Sequence, residues 1–373
     1  MPVRALARVN VAAIERNVAR LRRELTGRAA LCAVVKADGY GHGAAAAARA
    51  ALAGGARSLA VATADEAARL RAEAIGAPLL VMGAISAQEL PVALGARAEL
   101  VAWSEEFVGA VAAAASVPAR VHVKFDTGMG RLGTRELGQA LALADRVLER
   151  APALELAGAM THFATADDDP EFLERQLASF RQFVSEVRRR RPGVTVHAAN
   201  SAATLRQPAS HFDLVRCGIA IYGCDPMHDD PARLGLEPAL EWSSYAAAVK
   251  LARTGDSAGY GRRFTAERDT WLATVPIGYG DGFRRAFTNN CEVLIGGRRY
   301  PVVGTVSMDN VTVDLGPQTA VRPGDQVTII GVDGPERQTA EELARRIGTI
   351  NYEVVCGISG RVPRVYDRDS EPE

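Results

Sequence analysis

Lysine is scarce in this chain. Of its 44 lysine and arginine residues, all are arginine except Lys36, Lys124 and Lys250. Arginine forms neither an imine nor a carbamate, so a lysine that persists against this bias is a candidate for amine chemistry. Lys36 and Lys124 lie next to glycine-rich turns, whereas Lys250, in the run AAAVKLAR, is interpreted as a solvated strand residue.

Excess charge, paired cysteines and long apolar stretches are also missing. The formal net charge is zero and the pI about 7.0, which argues against a nucleic-acid partner. The cluster RRRRP at 188–192 is interpreted as the solvated end of a helix. Five scattered cysteines form neither a metal-ligand spacing nor a disulfide framework, and no run of about 20 apolar residues or apolar signal core is present. We therefore expect a cytoplasmic protein with no metal and no membrane partner.

The stretch LCAVVKADGYGHG, residues 31–43, stands out among the segments that are present. Its apolar half has the length and composition of a buried strand, and the glycines after Lys36 indicate a turn. Burial at a strand end favours the neutral amine and suits Lys36 to attack a carbonyl and form a Schiff base. The alternative is a lysine whose stem packs while its head reaches water.

The alternation of elements predicts the fold class. After a strand at 4–9 and a helix capped by Asn10, eight β-type runs alternate with helical stretches. The runs are 31–36, 58–63, 79–83, 99–103, 120–126, 156–163, 195–200 and 214–223. The count of eight favours a closed (β/α)8 barrel over a doubly wound open sheet.

A change in the sequence pattern after Pro238 predicts a second domain. Short β-type runs separated by turns replace the helical stretches, apart from one at 339–347. We predict a barrel over residues 1–238 and a mostly β domain over 239–373. Functional residues of such barrels lie at the carboxyl ends of the strands, where Lys36, residues 126–131, His162, Ser201 and Gly218 fall.

Nine motifs in a fixed order extend over the whole chain. They are AVVKADGYGHG (33–43), KFDTGMGRLG (124–133), THFATAD (161–167), HAANSA (197–202), VRCGIAIYG (215–223), AGYGRRF (258–264), IGYGDG (277–282), GTVSMDN (304–310) and TINYEVVCGISGRVPR (349–364). Together they resemble the motifs of the alanine racemases, which are pyridoxal phosphate enzymes built from a barrel and a β domain.

The resemblance implies a cofactor site. Lys36 is expected to hold pyridoxal 5'-phosphate covalently, and the residues expected around its phosphate are Tyr40, Ser201, Gly218, Ile219 and Tyr352. Arg216 is expected to donate to the pyridine nitrogen, since an arginine inside LVRCGIAIYG needs a partner to be buried. The structural alternative is an ion pair between Arg216 and a carboxylate such as Asp213.

The resemblance also implies two catalytic bases, because a single base would return the proton to the same face of the substrate α-carbon. Lys36 serves one face, and Tyr260 in the motif AGYGRRF serves the other. The phenol of tyrosine is a poor base at neutral pH without cationic or hydrogen-bonding support, which His162 and Arg216 are expected to give. In the family the second base comes from the neighbouring subunit, so a head-to-tail homodimer is expected.

Two further residues are expected at the substrate. The resemblance places Arg131 and the backbone N–H of Met308 near the substrate carboxylate, although core packing is the commoner use of methionine. The implied activity is interconversion of L- and D-alanine, supplying D-alanine for peptidoglycan. The alternatives are a serine or broad-specificity racemase on the same scaffold, and a non-catalytic pyridoxal phosphate-binding protein.

Lys124 is expected to be carbamylated and to position Arg131. It lies on the apolar strand VHVKFD, which should point it inward, and an unmodified lysine facing Arg131 would bring two cations together in a low dielectric. A carbamate would instead offer Arg131 a planar acceptor with two oxygens. The alternatives are a neutral lysine, a bound chloride, or a side chain that points to solvent.

Overall fold

The protein is described here from a computed structural model, which covers residues 3–368. Its Cα positions divide the chain into two compact units. The barrel unit comprises Ile14–Tyr40 and Ala44–Ile221, and the β unit comprises residues 3–13, 41–43 and 222–368.

The barrel unit contains eight parallel strands that close on themselves, which confirms the predicted (β/α)8 fold. In chain order the strands are Ala30–Val34, Ser58–Val61, Leu79–Val81, Glu99–Ala102, Ala119–Lys124, Leu154–Met160, Thr195–His197 and Leu214–Cys217. Closure occurs where the first and last strands pair, with Cys32 opposite Arg216. Most strand residues are buried on both faces, as expected for parallel strands covered by helices.

Helices alternate with the strands, as the sequence predicts. They are Val11–Arg22, Ala44–Ala53, Ala64–Ala72, Leu90–Gly95, Glu105–Ala114, Leu137–Glu149, Pro170–Arg190 and Ser201–Arg206. Asn10 caps the first of them, since its Oδ1 accepts a hydrogen bond from Ala13 N at 3.0 Å. The predicted arginine cluster occupies the last turn of Pro170–Arg190. None of the helices between residues 3 and 368 has the length and apolar character needed to cross a membrane.

Several strands are shorter than the apolar runs that predicted them. The run 214–223, for example, gives the strand Leu214–Cys217 and then a 3₁₀ turn at Ile219–Tyr222. The run 195–200 likewise gives only Thr195–His197, and Asn200 caps the next helix. Buried loops at the barrel mouth continue the apolar composition of the strands, so composition alone does not show where pairing stops.

The β unit is built on one large, mainly antiparallel sheet. The strands of the unit are Leu6–Asn10, Leu240–Tyr245, Ala248–Ala252, Ser257–Ala258, Phe264–Thr265, Thr270–Val275, Cys291–Ile295, Arg298–Val303, Val311–Gly316, Gln326–Asp333, Glu336–Gln338 and Arg364–Asp367, and its helices are Ala340–Arg346 and Asn351–Cys356. Lys250 is exposed on Ala248–Ala252, as predicted.

The first strand of the chain corrects the predicted domain boundary. Leu6–Asn10 pairs antiparallel with Leu240–Tyr245 and parallel with Arg364–Asp367, so it belongs to the sheet of the β unit. Residues 3–13 and 222–238, which we assigned to a barrel domain of 1–238, therefore lie in the β unit. The sequence shows that 4–9 form a strand but does not show which strands pair with it.

Candidate active site

Lys36 lies two residues after the end of the first barrel strand and begins a left-handed turn. The backbone φ angles of Ala37, Asp38, Gly39 and Tyr40 are 51°, 51°, 63° and 53°. Three of these residues carry a Cβ, and each costs roughly 1–2 kcal/mol in this conformation. Conformational strain of this kind is concentrated at functional sites, where the surrounding structure must hold it.

Two carboxylates hold the turn. Glu66 Oε1 accepts a hydrogen bond from Ala37 N at 2.6 Å, and its Oε2 accepts from Ala62 N at 2.8 Å and Thr63 N at 3.2 Å. Asp38 Oδ1 accepts from Ala44 N at 2.8 Å. The helix that begins at Ala64 therefore fixes the backbone next to Lys36.

Ser201, Gly218 and Tyr40 form a small cradle within the barrel unit. Ser201 Oγ is buried and accepts hydrogen bonds from Gly218 N at 3.0 Å and Ala220 N at 3.4 Å. A Cβ added at Gly218 would lie 2.4 Å from the hydroxyl of Tyr40, so a larger residue there would displace the Tyr40 side chain. The N–H of Ile219 has no hydrogen-bond acceptor among residues 3–368.

Arg216 is buried at the same mouth of the barrel. Its NH1 donates to His197 Nδ1 at 2.8 Å, and its NH2 lies 2.9 Å from Thr161 O, 2.9 Å from Ala198 O and 3.1 Å from His162 Nδ1. Burial lowers the pKa of Arg216 to about 10, which leaves it protonated at neutral pH. No hydrogen bond from Arg216 Nε to a described residue is present, so this donor is left for a ligand.

The predicted alternative for Arg216, an ion pair with Asp213, is wrong. Asp213 instead pairs with Arg188 at 2.8 Å and accepts a hydrogen bond from Val196 N at 2.8 Å. Asp213 directly precedes the strand Leu214–Cys217 whereas Arg216 is its third residue, so the two side chains stand at different levels of the barrel.

The mouth of the barrel is strongly cationic. Burial, then Arg216, Arg131, Lys124 and Lys36 in order of influence, hold the pKa of His162 well below its usual value. His162 is therefore neutral at physiological pH. Arg131 is exposed and has no hydrogen bond or ion pair with another residue in 3–368. A cluster of this kind favours anions.

Lys124 is 3% exposed, so the predicted alternative in which it points to solvent is wrong. Burial, followed by Arg131 and Arg216, lowers its pKa to about 8 despite the opposing influence of Asp126. No hydrogen bond or ion pair joins its amine to another described residue. Asp126 is bound elsewhere, because its carboxylate accepts from Gly128 N at 3.0 Å and from Gly130 N at 3.0 and 3.1 Å.

The other predicted site residues lie in the β unit. Tyr260 is 74% exposed in the short turn Tyr260–Arg262, and its carbonyl accepts a hydrogen bond from Thr305 Oγ1 at 2.6 Å. Met308 is 51% exposed, which contradicts core packing, and its N–H has no acceptor within the described part of the chain. Tyr352 is the second residue of the helix Asn351–Cys356, and the centroid of its ring lies 6.0 Å from that of the His228 ring.

The residues of the barrel unit fit pyridoxal phosphate. Lys36 offers an amine for the carbonyl, and the glycine-walled cradle with the N–H of Ile219 suits a phosphate. Arg216 Nε offers a donor for the ring nitrogen. These three features complement the carbonyl, the phosphate and the ring nitrogen of the cofactor.

Three polar residues inside the barrel were missed by the sequence analysis. Glu99, His122 and His197 form a hydrogen-bonded line that ends at Arg216. A signal was present, because the chain has only six histidines and His122 lies two residues before Lys124 on a strand. Alternate strand residues share a face, so an inward Lys124 implies an inward His122.

Comparison with known proteins agrees with the geometry. The family models "Alanine racemase, N-terminal domain" and "Alanine racemase, C-terminal domain" match residues 9–226 and 239–366. Alanine racemase 1 of Bacillus subtilis is 39% identical over 96% of this chain and 92% of the relative, and alanine racemase of Frankia casuarinae is 42% identical over 91% and 90%.

Solved structures give the same result. The alanine racemase of Bacillus anthracis with bound L-Ala-P superposes with a TM-score of 0.91 at 38% identity, covering 98% of this chain and 96% of that one. The alanine racemase of Streptomyces coelicolor A3(2) superposes with a TM-score of 0.91 at 39% identity and 98% coverage of both chains.

Proposed function

The chain belongs to the alanine racemase family, whose members are pyridoxal phosphate-dependent isomerases, and we propose that it interconverts L- and D-alanine with Lys36 and Tyr260 as its two bases. The observation that carries the proposal is the strained turn after Lys36, held by Glu66 at a cationic barrel mouth. When bound, pyridoxal phosphate withdraws electrons from the substrate α-carbon and so acidifies its C–H bond.

The protein's own residues divide the proton transfer between two faces. The Nζ of Lys36 removes or returns the α-proton on one face, and the phenol oxygen of Tyr260 does so on the other. Tyr260 is 74% exposed in its own chain, which supports a role at the site of a second copy. We therefore propose a head-to-tail homodimer in which His162 and Arg216 support the phenolate.

Arg216 and the phosphate cradle hold the cofactor. NH1 and NH2 of Arg216 are occupied by protein acceptors, so its Nε–H is the donor we assign to the ring nitrogen. Arginine can donate to this nitrogen without surrendering its proton. Ser201 and the backbone of Gly218 and Ile219 are assigned to the phosphate, with the Tyr40 hydroxyl beside them. Tyr352 is assigned to the same phosphate on resemblance alone.

The substrate carboxylate is assigned to Arg131 and the N–H of Met308. Both lack partners within residues 3–368, as groups reserved for a ligand would. Lys124 is proposed to position Arg131 as a carbamate. The neutral amine attacks the carbon of CO2, an electron pair moves onto one oxygen, and the nitrogen loses a proton to solvent. The modification would replace a buried cation that has no partner among residues 3–368 with an anion able to pair with Arg131.

We further propose that the product D-alanine supplies peptidoglycan synthesis in the cytoplasm. The test of function is a racemisation assay on the protein purified with pyridoxal phosphate, across alanine, serine and several larger amino acids. Alanine should be turned over with the highest kcat/KM. A preference for serine, or equal rates on all substrates, would replace the proposal with the broader racemase. If the protein binds pyridoxal phosphate but turns over none of these amino acids, it is a non-catalytic cofactor-binding protein.

A further inference from the structure

A line of polar side chains crosses the interior of the barrel. Arg216 NH1 lies 2.8 Å from His197 Nδ1, His197 Nε2 lies 2.7 Å from His122 Nδ1, and His122 Nε2 lies 2.6 Å from Glu99 Oε2. Such interiors are ordinarily filled by branched apolar side chains. Glu99 is the first residue of its strand, and His197 the last of its own, so the line extends from the amino-terminal mouth toward the carboxyl-terminal one.

Because the line is buried, each of its polar atoms needs a hydrogen-bond partner. Arg216, His197 and His122 are all at least 97% buried. A buried polar group without a partner costs several kcal/mol in an apolar setting. Here each ring nitrogen of both histidines has one partner, so the line is fully satisfied. It continues to the surface through Arg120, whose Nε donates to Glu99 at 2.8 Å.

The two ends of the line fix the position of every proton in it. All nitrogens of Arg216 are donors, so His197 Nδ1 must be an acceptor and His197 must carry its proton on Nε2. That N–H points at His122 Nδ1, which must accept in turn, so His122 carries its proton on Nε2 as well. This proton points at the carboxylate of Glu99. Both histidines therefore have the same tautomer.

The charges agree with this assignment. Although burial opposes it, the hydrogen bonds from His122 and Arg120 and the charge of Arg120 lower the pKa of Glu99, so Glu99 stays an acceptor. Burial, with a smaller influence from the charge of Arg216, holds the pKa of His197 well below its usual value. A neutral His197 retains the lone pair that Arg216 requires.

The neighbouring strand leaves space for this arrangement. A Cβ added at Gly158 would lie 1.9 Å from Nδ1 of His122 and 2.5 Å from its Cγ. The register between the two strands also shifts between Val121 and His122. Glycine at 158 is therefore required for the His122 ring to occupy the line.

We propose that Glu99, His122 and His197 are positioning residues that orient Arg216 toward the cofactor by fixing the tautomer of His197. The inference rests on the proposed function, because Arg216 is the residue that meets the ring nitrogen. With the opposite tautomer, His197 would present an N–H to an N–H of Arg216. Two facing donors would push the guanidinium away and misalign its Nε. Glu99 excludes that tautomer from the opposite mouth of the barrel.

The first test is ¹⁵N NMR of the holoenzyme labelled at histidine. We expect His197 and His122 to show an unprotonated Nδ1 and a protonated Nε2. A proton on Nδ1 of His197, or a doubly protonated ring, would overturn the proposal. This measurement needs no variant and no activity.

The second test compares Glu99→Leu with Glu99→Gln. Leucine removes the acceptor, whereas the glutamine oxygen still accepts from His122. Loss of an outer partner that orients a functional histidine typically costs about 10- to 100-fold in activity. We expect Glu99→Leu to lose kcat in this range with a smaller change in KM, to alter the visible absorbance of the bound cofactor, and to shift the His197 resonances. Glu99→Gln should retain the tautomer and most of the activity.

Glu155→Gln is the matched control, because Glu155 binds Arg120 at 2.8 Å at the same mouth but lies outside the line. It should behave as wild type. A folded Glu99→Leu with wild-type kcat, absorbance and resonances would overturn the proposal. If Glu99→Leu does not fold, the proposal is tested by the histidine tautomers of the wild-type protein and by the tautomers and activity of Glu99→Gln. A wild-type protein with the expected tautomers but no racemisation would refute the proposed function and leave the positioning of Arg216 intact.

Discussion

Replacement of Lys124 by methionine should stabilise the protein in CO2-free buffer. The amine is 3% exposed, has no partner among the described residues, and has its pKa lowered from 10.5 to about 8. At about 1.4 kcal/mol per pH unit, keeping the amine charged in the folded state costs about 3 kcal/mol. Methionine fills a similar volume without a charge, so Lys124→Met should raise the free energy of unfolding by at most this amount at pH 7.

The gain should depend on pH in a defined direction. Below pH 8 the lysine is protonated in both folded and unfolded chains, so its cost is present in full. Between pH 8 and 10.5 the folded chain holds the neutral amine while the unfolded chain is still protonated, and the cost declines. At pH 10 the difference between Lys124→Met and wild type should be below about 1 kcal/mol.

The measurement is urea unfolding followed by circular dichroism at pH 7 and pH 10, with and without bicarbonate. Lys250→Met is the control, because Lys250 is exposed on a strand and its replacement should change stability by about 0.5 kcal/mol or less. If the carbamate forms, bicarbonate should stabilise wild type and Lys250→Met, which both retain Lys124, but not Lys124→Met. Equal effects of Lys124→Met and Lys250→Met at pH 7 would refute the reasoning.

Four further outcomes are expected. Lys36→Ala should lose the covalent cofactor and activity, and borohydride should no longer fix cofactor to the chain; full activity would contradict the assignment. Tyr260→Phe should slow the two directions unequally and change solvent-deuterium incorporation in one direction more than the other, whereas equal mild losses would argue against two bases. Mixing these two variants under conditions of demonstrated subunit exchange should restore some activity if the site is shared. Glu66→Ala should destabilise by about 2 kcal/mol or more because it removes a charged acceptor from the strained turn, and Asp65→Ala on the same helix should not, as thermal unfolding of both would show.

The sequence was informative where local signals decide the structure. The run before Lys36, the Asn10 cap and the eight alternating runs are local patterns, and the structure contains the elements that they predict. The glycines at 39, 41 and 43 all adopt positive φ, as a turn requires. Ala37 and Asp38 also adopt positive φ, which their own sequence does not predict, because Glu66 stabilises the turn through a contact with a residue distant in sequence.

Contacts between residues far apart in the chain could not be predicted from the sequence. Arg216 was seen to need a partner, but Asp213 was suggested because it was near in sequence. Its observed partners come from the ends of the two preceding barrel strands, Leu154–Met160 and Thr195–His197, which the folded sheet brings beside it. Glu99 and His122 were missed for the same reason, since each is unremarkable within its own strand.

The position of the first strand has a consequence for synthesis of the chain. Leu6–Asn10 is made before the barrel unit, but its partners Leu240–Tyr245 and Arg364–Asp367 are made more than two hundred residues later. At about 5–20 residues per second, the strand waits roughly 10–50 s for its first neighbour. Most of the barrel unit, Ile14–Ile221, is complete by then. We therefore expect the barrel unit to fold before this strand pairs, with Ala7 and Val9 left available to a chaperone until the rest of the β unit is made.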